Sequence, residues 1–298
     1  MTIIKMGTRG SKLAMAQSSW VARNIEKIHH GVKVETVVIK TSGDFLGGRE
    51  GASLAPAGMK GLFVKEIEES LLAGTIDFAV HSAKDLPEAL APGLSVAAFP
   101  EREDPRDAWI GRGGLPWAEL PASATVATAS LRRRIQLRAA KPGLQAVSIR
   151  GNVDTRLKKL EEGAADGLIL ALAGLRRLGL AAVKAEPLSL DWCVPSPGQG
   201  ALAVEVRSDR ADAAAIVSRL DHAATRAEVE LERGLARAFG GGCQTPFGAL
   251  SRTEPGGMSV RIFHARPDGS RWVRWSGRCG AQEPPQAFAA GLAKQLSL

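Results

Sequence analysis

The chain has 298 residues, of which 45% are hydrophobic and 23% are charged, and its formal net charge is +8 at pH 7. This length is sufficient for two or three domains, and the composition is ordinary for a globular protein. No apolar run reaches the ~20 residues of a bilayer span, and the N-terminus lacks the apolar segment of a signal peptide. Three widely spaced cysteines argue against a disulfide framework or a zinc knuckle, so we expect a reducing, cytoplasmic compartment.

The positive charge indicates an anionic partner, and composition alone leaves two classes open. One is nucleic acid, and the other is a small polyanion whose carboxylates match the forked geometry of arginine. The chain contains no tyrosine, and its six tryptophans are scattered, which makes a base-stacking surface a poor fit. The positions of the arginines must decide between the two classes.

The first hundred residues alternate between predicted strands and helices. A strand at 2–8 runs through Gly7-Thr8-Arg9-Gly10-Ser11 into a helix, for which Ser11 is a suitable N-cap. The remaining predicted elements are a strand at 32–40, a glycine-rich loop at 41–59, a helix at 61–72, and strands at 76–80 and 94–99. This order is typical of an open α/β sheet.

The stretch from Ile76 to Pro87 combines a buried strand with a sudden group of polar side chains. Its sequence is IDFAVHSAKDLP, so an imidazole, a hydroxyl, an ammonium and a carboxylate follow the strand. Open α/β sheets bind ligands beyond the carboxyl ends of their strands. A carboxylate held there beside a lysine can stay ionised and face a cationic intermediate; the alternative is a solvated loop with an incidental ion pair.

After a charged joint at 101–107, arginines recur where strands give way to helices. Predicted strands at 125–128, 146–149 and 168–171 each lead into a helix, and the arginines near these junctions are Arg132, Arg133, Arg134, Arg150, Arg156, Arg176 and Arg177. Helix N-termini also favour anions. One such helix would fit a solvated basic face, but three together favour a cleft for anions. No phosphate-binding glycine fingerprint accompanies them, which favours organic carboxylates.

The last third of the chain predicts a small α+β unit. A turn-rich hinge at 195–200 leads to a strand at 201–206, which we expect to return to the first sheet and complete two α/β lobes. A helix at 222–239 then ends in Gly240-Gly241-Gly242-Cys243, followed by strands at 247–251, 258–265 and 271–277 and a helix at 285–295. A lone cysteine is ordinarily a buried hydrophobe, but presentation on glycines favours a reactive Cys243 over Cys193 and Cys279.

Eight motifs occur in a fixed order along the whole chain: GTRGS, HSAKDLP, EREDPRDA, ATASLRRR, IRGNVDTRL, LAGLRRLG, SPGQGALAVEVR and GGGCQTPFGA. Together they resemble the porphobilinogen deaminase family, also called hydroxymethylbilane synthases. The resemblance implies two periplasmic-binding-protein-like open-sheet α/β lobes and a small α+β C-terminal domain. The implied boundaries are 1–100 with 200–217, then 104–194, then 222–298.

The resemblance also implies a transferase of porphyrin and heme biosynthesis. It would join four porphobilinogen molecules head to tail into a linear tetrapyrrole and release ammonia, primed on a dipyrromethane cofactor bound by a thioether to Cys243. Asp85 matches the catalytic carboxylate, and no metal is implied. The residues that would bind substrate or cofactor carboxylates are Arg9, Ser11, Lys60, Ser82, Lys84, Thr128, Ser130, Arg132, Arg133, Arg150, Asn152, Arg156, Arg177 and Gln199.

The implied partners are porphobilinogen and a uroporphyrinogen-III synthase that takes the product, with neither nucleic acid nor membrane, and the implied state is a monomer. One motif departs from the family pattern. The lid usually reads close to Lys-x-Gly-Gly-Lys-Gly, whereas this chain has PAGMKG at 56–61, which keeps Lys60. Two alternatives stay open on the residues alone: a non-catalytic two-lobed receptor for an organic anion, and a nucleic-acid-binding protein. Cys243 on its glycine loop counts against the receptor.

Overall fold

The computed structural model describes residues 1–42, 64–240 and 245–297. The strands are β1 (Thr2–Arg9), β2 (Val32–Ile39), β3 (Phe78–Ser82), β4 (Leu94–Ala98), β5 (Asp107–Gly111), β6 (Thr125–Ala127), β7 (Gln145–Val147), β8 (Gly167–Ala171), β9 (Glu186–Pro187), β10 (Leu202–Arg207), β11 (Phe247–Glu254), β12 (Gly257–Ala265) and β13 (Trp272–Gly280). The helices are α1 (Lys12–Ile28), α2 (Lys65–Leu72), α3 (Leu131–Ala140), α4 (Val153–Glu161), α5 (Leu172–Arg177), α6 (Ala211–Val217), α7 (Ala223–Ala238) and α8 (Pro285–Gln295).

One compact unit comprises Met1–Glu103 and Ala201–Ala227. Its sheet has the order β2-β1-β3-β10-β4, in which β1, β2 and β3 are parallel and β10 runs antiparallel to both of its neighbours. The core on one face packs the apolar stripe of α1, including Val21 and Ile25, against strand residues such as Phe78. The prediction that the strand after the hinge returns to the first sheet is therefore confirmed.

The other compact unit comprises Asp104–Gly200 and Glu228–Leu298. Its five-stranded sheet has the order β7-β6-β8-β5-β9, with β6, β7 and β8 parallel and β5 antiparallel to β8. The sequence suggested a charged joint through Asp107, but the structure begins β5 at this residue and buries its side chain completely. The charged residues around Asp107 predicted an exposed joint instead of a strand. Asp107 can be buried because its charge is balanced by partners far along the chain.

A second sheet in this unit is the antiparallel meander β11-β12-β13. Helices α7 and α8 cover it, and Leu231, Leu235 and Leu292 from these helices pack against Ile262 of the central strand. This gives the small α+β unit that the sequence predicts.

The architecture confirms the predicted fold class, two open-sheet α/β lobes and a small α+β unit. The division into three domains at the boundaries given above stays a prediction. Within the described ranges, none of the helices is both long and apolar enough to cross a membrane.

Candidate functional site

In the first unit, the carboxyl ends of β1 and β3 meet at one edge of the sheet. The two strands are parallel neighbours, with Gly7 opposite Ala79, so Arg9 follows β1 at the edge where Ser82 ends β3. Ser11 caps α1 by accepting a hydrogen bond from the backbone N–H of Ala14 at 3.3 Å. The sequence therefore brings two predicted site residues, Arg9 and Ser82, to one sheet edge, where ligands of such sheets bind.

Gln17 contacts Ser82 at this edge and was not among the predicted site residues. Its Nε2 lies 3.0 Å from Ser82 Oγ, and its side chain is buried on the inner face of α1. The contact fixes the hydroxyl of Ser82 against the first helix. A polar residue within the buried stripe of an amphipathic helix is the signal that could have identified it.

Asp85 ends a single turn of 3-10 helix, Ala83–Asp85, that follows β3 directly. Ala83 and Leu86 on either side are each 1% exposed, and the backbone N–H of Ala83 donates to the carbonyl of Ala201 at 3.0 Å. Lys84 and Asp85 themselves are half-buried. Two buried neighbours thus hold the Asp85 carboxylate on a short turn at the carboxyl edge of the parallel strands.

In the second unit, Asp107 is the centre of a buried charge cluster. Its Oδ2 lies 2.8 Å from Arg132 Nη2, and its Oδ1 lies 2.6 Å from Arg133 Nη2 and 3.1 Å from Arg133 Nε. Gln199 Nε2 also donates to Asp107 Oδ1 at 2.8 Å. One carboxylate therefore organises three predicted site residues, each less than 10% exposed.

Electrostatics in this cluster favour the ionised carboxylate. Burial opposes ionisation, but the charges of Arg132 and Arg133 outweigh it and hold the pKa of Asp107 well below its usual range. Asp107 belongs to the EREDPRDA motif but was not among the predicted site residues. An acidic residue that opens an apolar run, AWIG, is the signal that was available.

Two hydroxyls lie where β6 gives way to α3. Ser130 is the N-cap of α3 and accepts from the backbone N–H of Arg133 at 3.4 Å, while Thr128 Oγ1 accepts from the backbone N–H of Ser130 at 3.2 Å. Thr128 is buried and Ser130 is half-buried. These contacts place the start of α3, and with it the arginine pair, at the carboxyl end of a parallel strand.

The remaining predicted arginines of this unit differ in exposure. Arg150 is exposed, as is Asn152, the N-cap of α4. Arg156 is half-buried and its Nε donates to the carbonyl of Gly151 at 2.7 Å. Arg177 Nη2 donates to the carbonyl of Gly200 at 2.6 Å.

Arg156 lies in an electropositive environment. Burial lowers the pKa of its guanidinium, and the charge of Arg133 lowers this pKa further. Two guanidinium groups that oppose each other in partly desolvated surroundings are stabilised by a bound anion. A carboxylate-bearing ligand such as a dipyrromethane therefore fits the chemistry of these residues.

The three cysteines divide into two buried thiols and Cys243. Burial, followed by the charge of Asp107, raises the pKa of Cys193 far above its ordinary value, and burial also raises the pKa of Cys279. Neither described cysteine is suited to form a reactive thiolate. Cys243 and Lys60 lie outside the described residues. Gly240 and Thr245, which flank 241–244, are joined by a hydrogen bond from Thr245 Oγ1 to the Gly240 carbonyl at 3.2 Å.

Residues 1–42, 64–240 and 245–297 contain no group of three or more His, Cys, Asp or Glu side chains that could hold a metal ion.

Comparison with known proteins identifies one family over nearly the whole chain. A family model described as porphobilinogen deaminase, dipyromethane cofactor binding domain, matches residues 4–215. Porphobilinogen deaminase of Desulforudis audaxviator is 45% identical over 98% of this chain and 94% of that protein, and the enzyme of Syntrophomonas wolfei is 44% identical with the same coverage. The porphobilinogen deaminase of Nitratidesulfovibrio vulgaris is 47% identical over 90% of this chain and 84% of that protein. Among solved structures, the periplasmic VFT2 domain of Bordetella pertussis BvgS covers 73% of this chain, and this chain covers 86% of that domain, at 14% identity and a TM-score of 0.41. The chain belongs to the porphobilinogen deaminase family.

Proposed function

We propose that this chain joins four porphobilinogen molecules head to tail into hydroxymethylbilane, releasing ammonia at each condensation, on a dipyrromethane attached to Cys243. The transferase activity and the dipyrromethane cofactor follow from membership of the family. The observation that carries the proposal is the match of the cofactor-binding family model over residues 4–215, because this range contains the turn that bears Asp85 and the buried arginine cluster.

The residues of the arginine cluster would hold the cofactor through its acetate and propionate groups. When bound, the dipyrromethane supplies the primer end that makes chain growth an intramolecular event. Arg156 is one residue suited to this contact, because burial and the charge of Arg133 lower the pKa of its guanidinium and a carboxylate would offset both effects. Arg132 and Arg133 also bind Asp107, so their side chains are positioned before any ligand arrives.

We assign to Asp85 the stabilisation of the charge that develops during the reaction. Its carboxylate would accept hydrogen bonds from pyrrole N–H groups and stabilise the positive charge that develops on porphobilinogen as ammonia departs. The buried residues on both sides of its turn fix the position of the carboxylate. The carboxylate therefore does not have to reorganise as charge develops on the substrate, which is the preorganisation that such stabilisation requires. Asp85 could also accept the proton that the pyrrole loses after the new bond forms.

The other predicted site residues would serve the carboxylates of the growing chain, either by binding them or by positioning the residues that bind them. They are Arg9, Ser11, Lys60, Ser82, Lys84, Thr128, Ser130, Arg132, Arg133, Arg150, Asn152, Arg156, Arg177 and Gln199. Exposure separates two kinds of contribution among them. The exposed Arg150 is free to reach a ligand directly, whereas the buried Gln199 acts by orienting Asp107 and hence the arginine pair.

We further propose three domains, a monomer, and transfer of the product to a uroporphyrinogen-III synthase. A cytoplasmic location is supported by the two described cysteines, which are free and buried as in proteins of reducing compartments.

The role of Asp85 is tested with Asp85→Asn and Asp85→Glu enzymes, with Asp209→Asn as the control because Asp209 is an exposed aspartate of the same unit. Asn keeps the size of the side chain but removes its charge, so we expect turnover to fall at least ~100-fold, the scale seen when a transition-state-stabilising group is lost. Glu keeps the charge and should retain measurable activity. The measurement is single-turnover ammonia release together with native mass spectrometry of bound pyrroles. An Asp85→Asn enzyme that adds pyrroles at the wild-type rate would exclude Asp85 from the mechanism.

A further inference from the structure

A buried polar cluster in the first unit lies apart from the residues assigned above. His81 Nε2 on β3 lies 3.1 Å from Glu205 Oε2 on β10, and the two side chains are 4% and 0% exposed. In the antiparallel pairing of these strands, Ala203 lies opposite His81 and Glu205 lies opposite Ala79. His81 and Glu205 are therefore diagonal neighbours on one face of the sheet.

Glu68 joins this cluster from the helix that covers the same face. Helix α2 packs Ile67 and Leu71 against Ala79 of β3. Glu68 lies between these two residues on the same helix and is half-buried. Burial raises the pKa of Glu68, and the charge of Glu205 raises it further, while His81 acts in the opposite direction. The half-buried carboxyl of Glu68 is thus influenced by the His81–Glu205 pair, which is itself buried.

The cluster is poorly satisfied by hydrogen bonds. Among the described residues, no partner of suitable geometry is found for either carboxylate oxygen of Glu205, for Glu68 Oε1 or for His81 Nε2. The contact between His81 and Glu205 is close in distance but misaligned as a hydrogen bond. Such a group costs stability, and well-packed apolar residues of similar volume would often be neutral or better. Its presence therefore points to a role other than stability.

The position of the cluster indicates that role. His81 immediately precedes Ser82 and the turn that carries Asp85. The backbone N–H of Ala83, the next residue but one, donates to the carbonyl of Ala201 at 3.0 Å, and Ala201 directly precedes β10. The start of the segment 82–91 is thus held against β10, beside the buried pair of His81 and Glu205.

We propose that His81 and Glu205 hold the start of the segment 82–91, which makes them positioning residues for the condensation. The inference rests on the proposed role of Asp85, because it concerns the placement of that carboxylate. Residues that act by positioning a group in the transition state lower kcat when they are lost and leave substrate binding largely unchanged.

The test replaces the pair by apolar residues in a His81→Leu/Glu205→Met double variant, with the volume-conserving Glu205→Gln single variant as a second form. His29→Gln is the matched control, since His29 lies in the same unit and contacts the carbonyl of Ile216, away from the cluster. Each protein is purified with its cofactor, and loading is checked by intact mass. The readouts are the thermal midpoint, kcat and KM for porphobilinogen, and hydrogen exchange in peptides that cover residues 83–91.

We expect the double variant to unfold at or above the wild-type temperature, with kcat reduced at least ~10-fold and KM changed by less than about threefold. Exchange in 83–91 should be at least ~10-fold faster, because the attachment at the start of the segment is lost. Glu205→Gln should likewise have a lower kcat and a nearly unchanged KM. Two results would overturn the proposal. One is a cofactor-loaded variant whose kcat is within about twofold of wild type, and the other is a loss of kcat without faster exchange in 83–91.

Asp85→Asn is measured in parallel. If Asp85→Asn has a wild-type kcat, the proposed role of Asp85 is wrong. If Asp85→Asn has a low kcat but the double variant has a wild-type kcat, only the positioning role of His81 and Glu205 is refuted.

Discussion

Asp107 Oδ1 and Arg133 Nη2 lie 2.6 Å apart, with the aspartate side chain wholly buried and the arginine side chain 9% exposed. Arg132 contacts the other oxygen of the same carboxylate at 2.8 Å. Two cations share one buried anion, so the cluster carries an excess positive charge before any ligand binds. An anionic ligand completes this charge balance, which links the stability of the unit to the binding of carboxylates.

Removal of the shared anion should destabilise the second unit. In an Asp107→Asn variant two buried guanidinium groups lose their counter-charge, and we expect a loss of about 3–5 kcal/mol in the free energy of unfolding. Asp191→Asn is the control, because Asp191 pairs with Arg261 at 2.8 Å but is 80% exposed. This replacement should cost far less stability than Asp107→Asn, because a solvent-exposed ion pair contributes little. Denaturant titrations measure both values, and equal losses in the two variants would contradict the cluster.

The same carboxylate should contribute to the acid sensitivity of the protein. The pKa of Asp107 is lowered in the folded state, so its contribution is present above the unfolded-state value of about 4 and is lost as the pH falls below it. Wild type should therefore lose stability more steeply than Asp107→Asn between about pH 5 and the acid end of the titration. Parallel slopes for the two proteins in thermal unfolding from pH 6 to pH 3 would show that Asp107 is not ionised against the arginine pair.

Arg150 and Arg133 should respond differently to replacement by alanine. Arg150 is exposed, so Arg150→Ala should leave the unfolding free energy unchanged but weaken ligand binding, by roughly 2 kcal/mol for a charge-assisted contact, or about 30-fold in KM. Arg133→Ala should lower both stability and cofactor loading, because Arg133 is part of the buried cluster. Thermal unfolding, intact mass and steady-state kinetics separate the two effects. An Arg150→Ala enzyme with an unchanged KM would remove Arg150 from the binding residues.

The cofactor should be attached to Cys243 alone. Cys243→Ser should give a chain of unmodified mass without activity, whereas Cys193→Ser and Cys279→Ser should keep the dipyrromethane. The reason is chemical, since burial raises the pKa of both other thiols and suppresses their thiolates. Peptide mapping after proteolysis locates the adduct. Recovery of the pyrroles on a peptide that contains Cys193 or Cys279 would refute the assignment.

Sequence patterns predicted the fold well where local signals act alone. The apolar period of α1, the short apolar run of β3 and the final helix Pro285–Gln295 each lie close to the predicted position. The return of β10 to the first sheet was also predicted, because an apolar strand after a hinge has few places to pair.

Long-range pairing limited the prediction of the site. Asp107 was read as part of a charged joint, since its partners Arg132, Arg133 and Gln199 lie 25 to 92 residues away along the chain. Gln17 and Glu205 were missed for a similar reason. The role of a polar residue on a buried face depends on its tertiary contact, and no local sequence pattern reveals that contact.

The most direct test of the central claim is the stoichiometry of condensation on the purified wild-type chain. Porphobilinogen is added in excess, and ammonia, free hydroxymethylbilane and the intact mass of the protein are followed together. The account predicts that the protein already carries a dipyrromethane, that discrete masses appear for each further pyrrole added, and that four ammonia molecules are released for each hydroxymethylbilane. A chain that binds porphobilinogen without ammonia release, or that releases ammonia without covalent pyrrole intermediates on the protein, would contradict it.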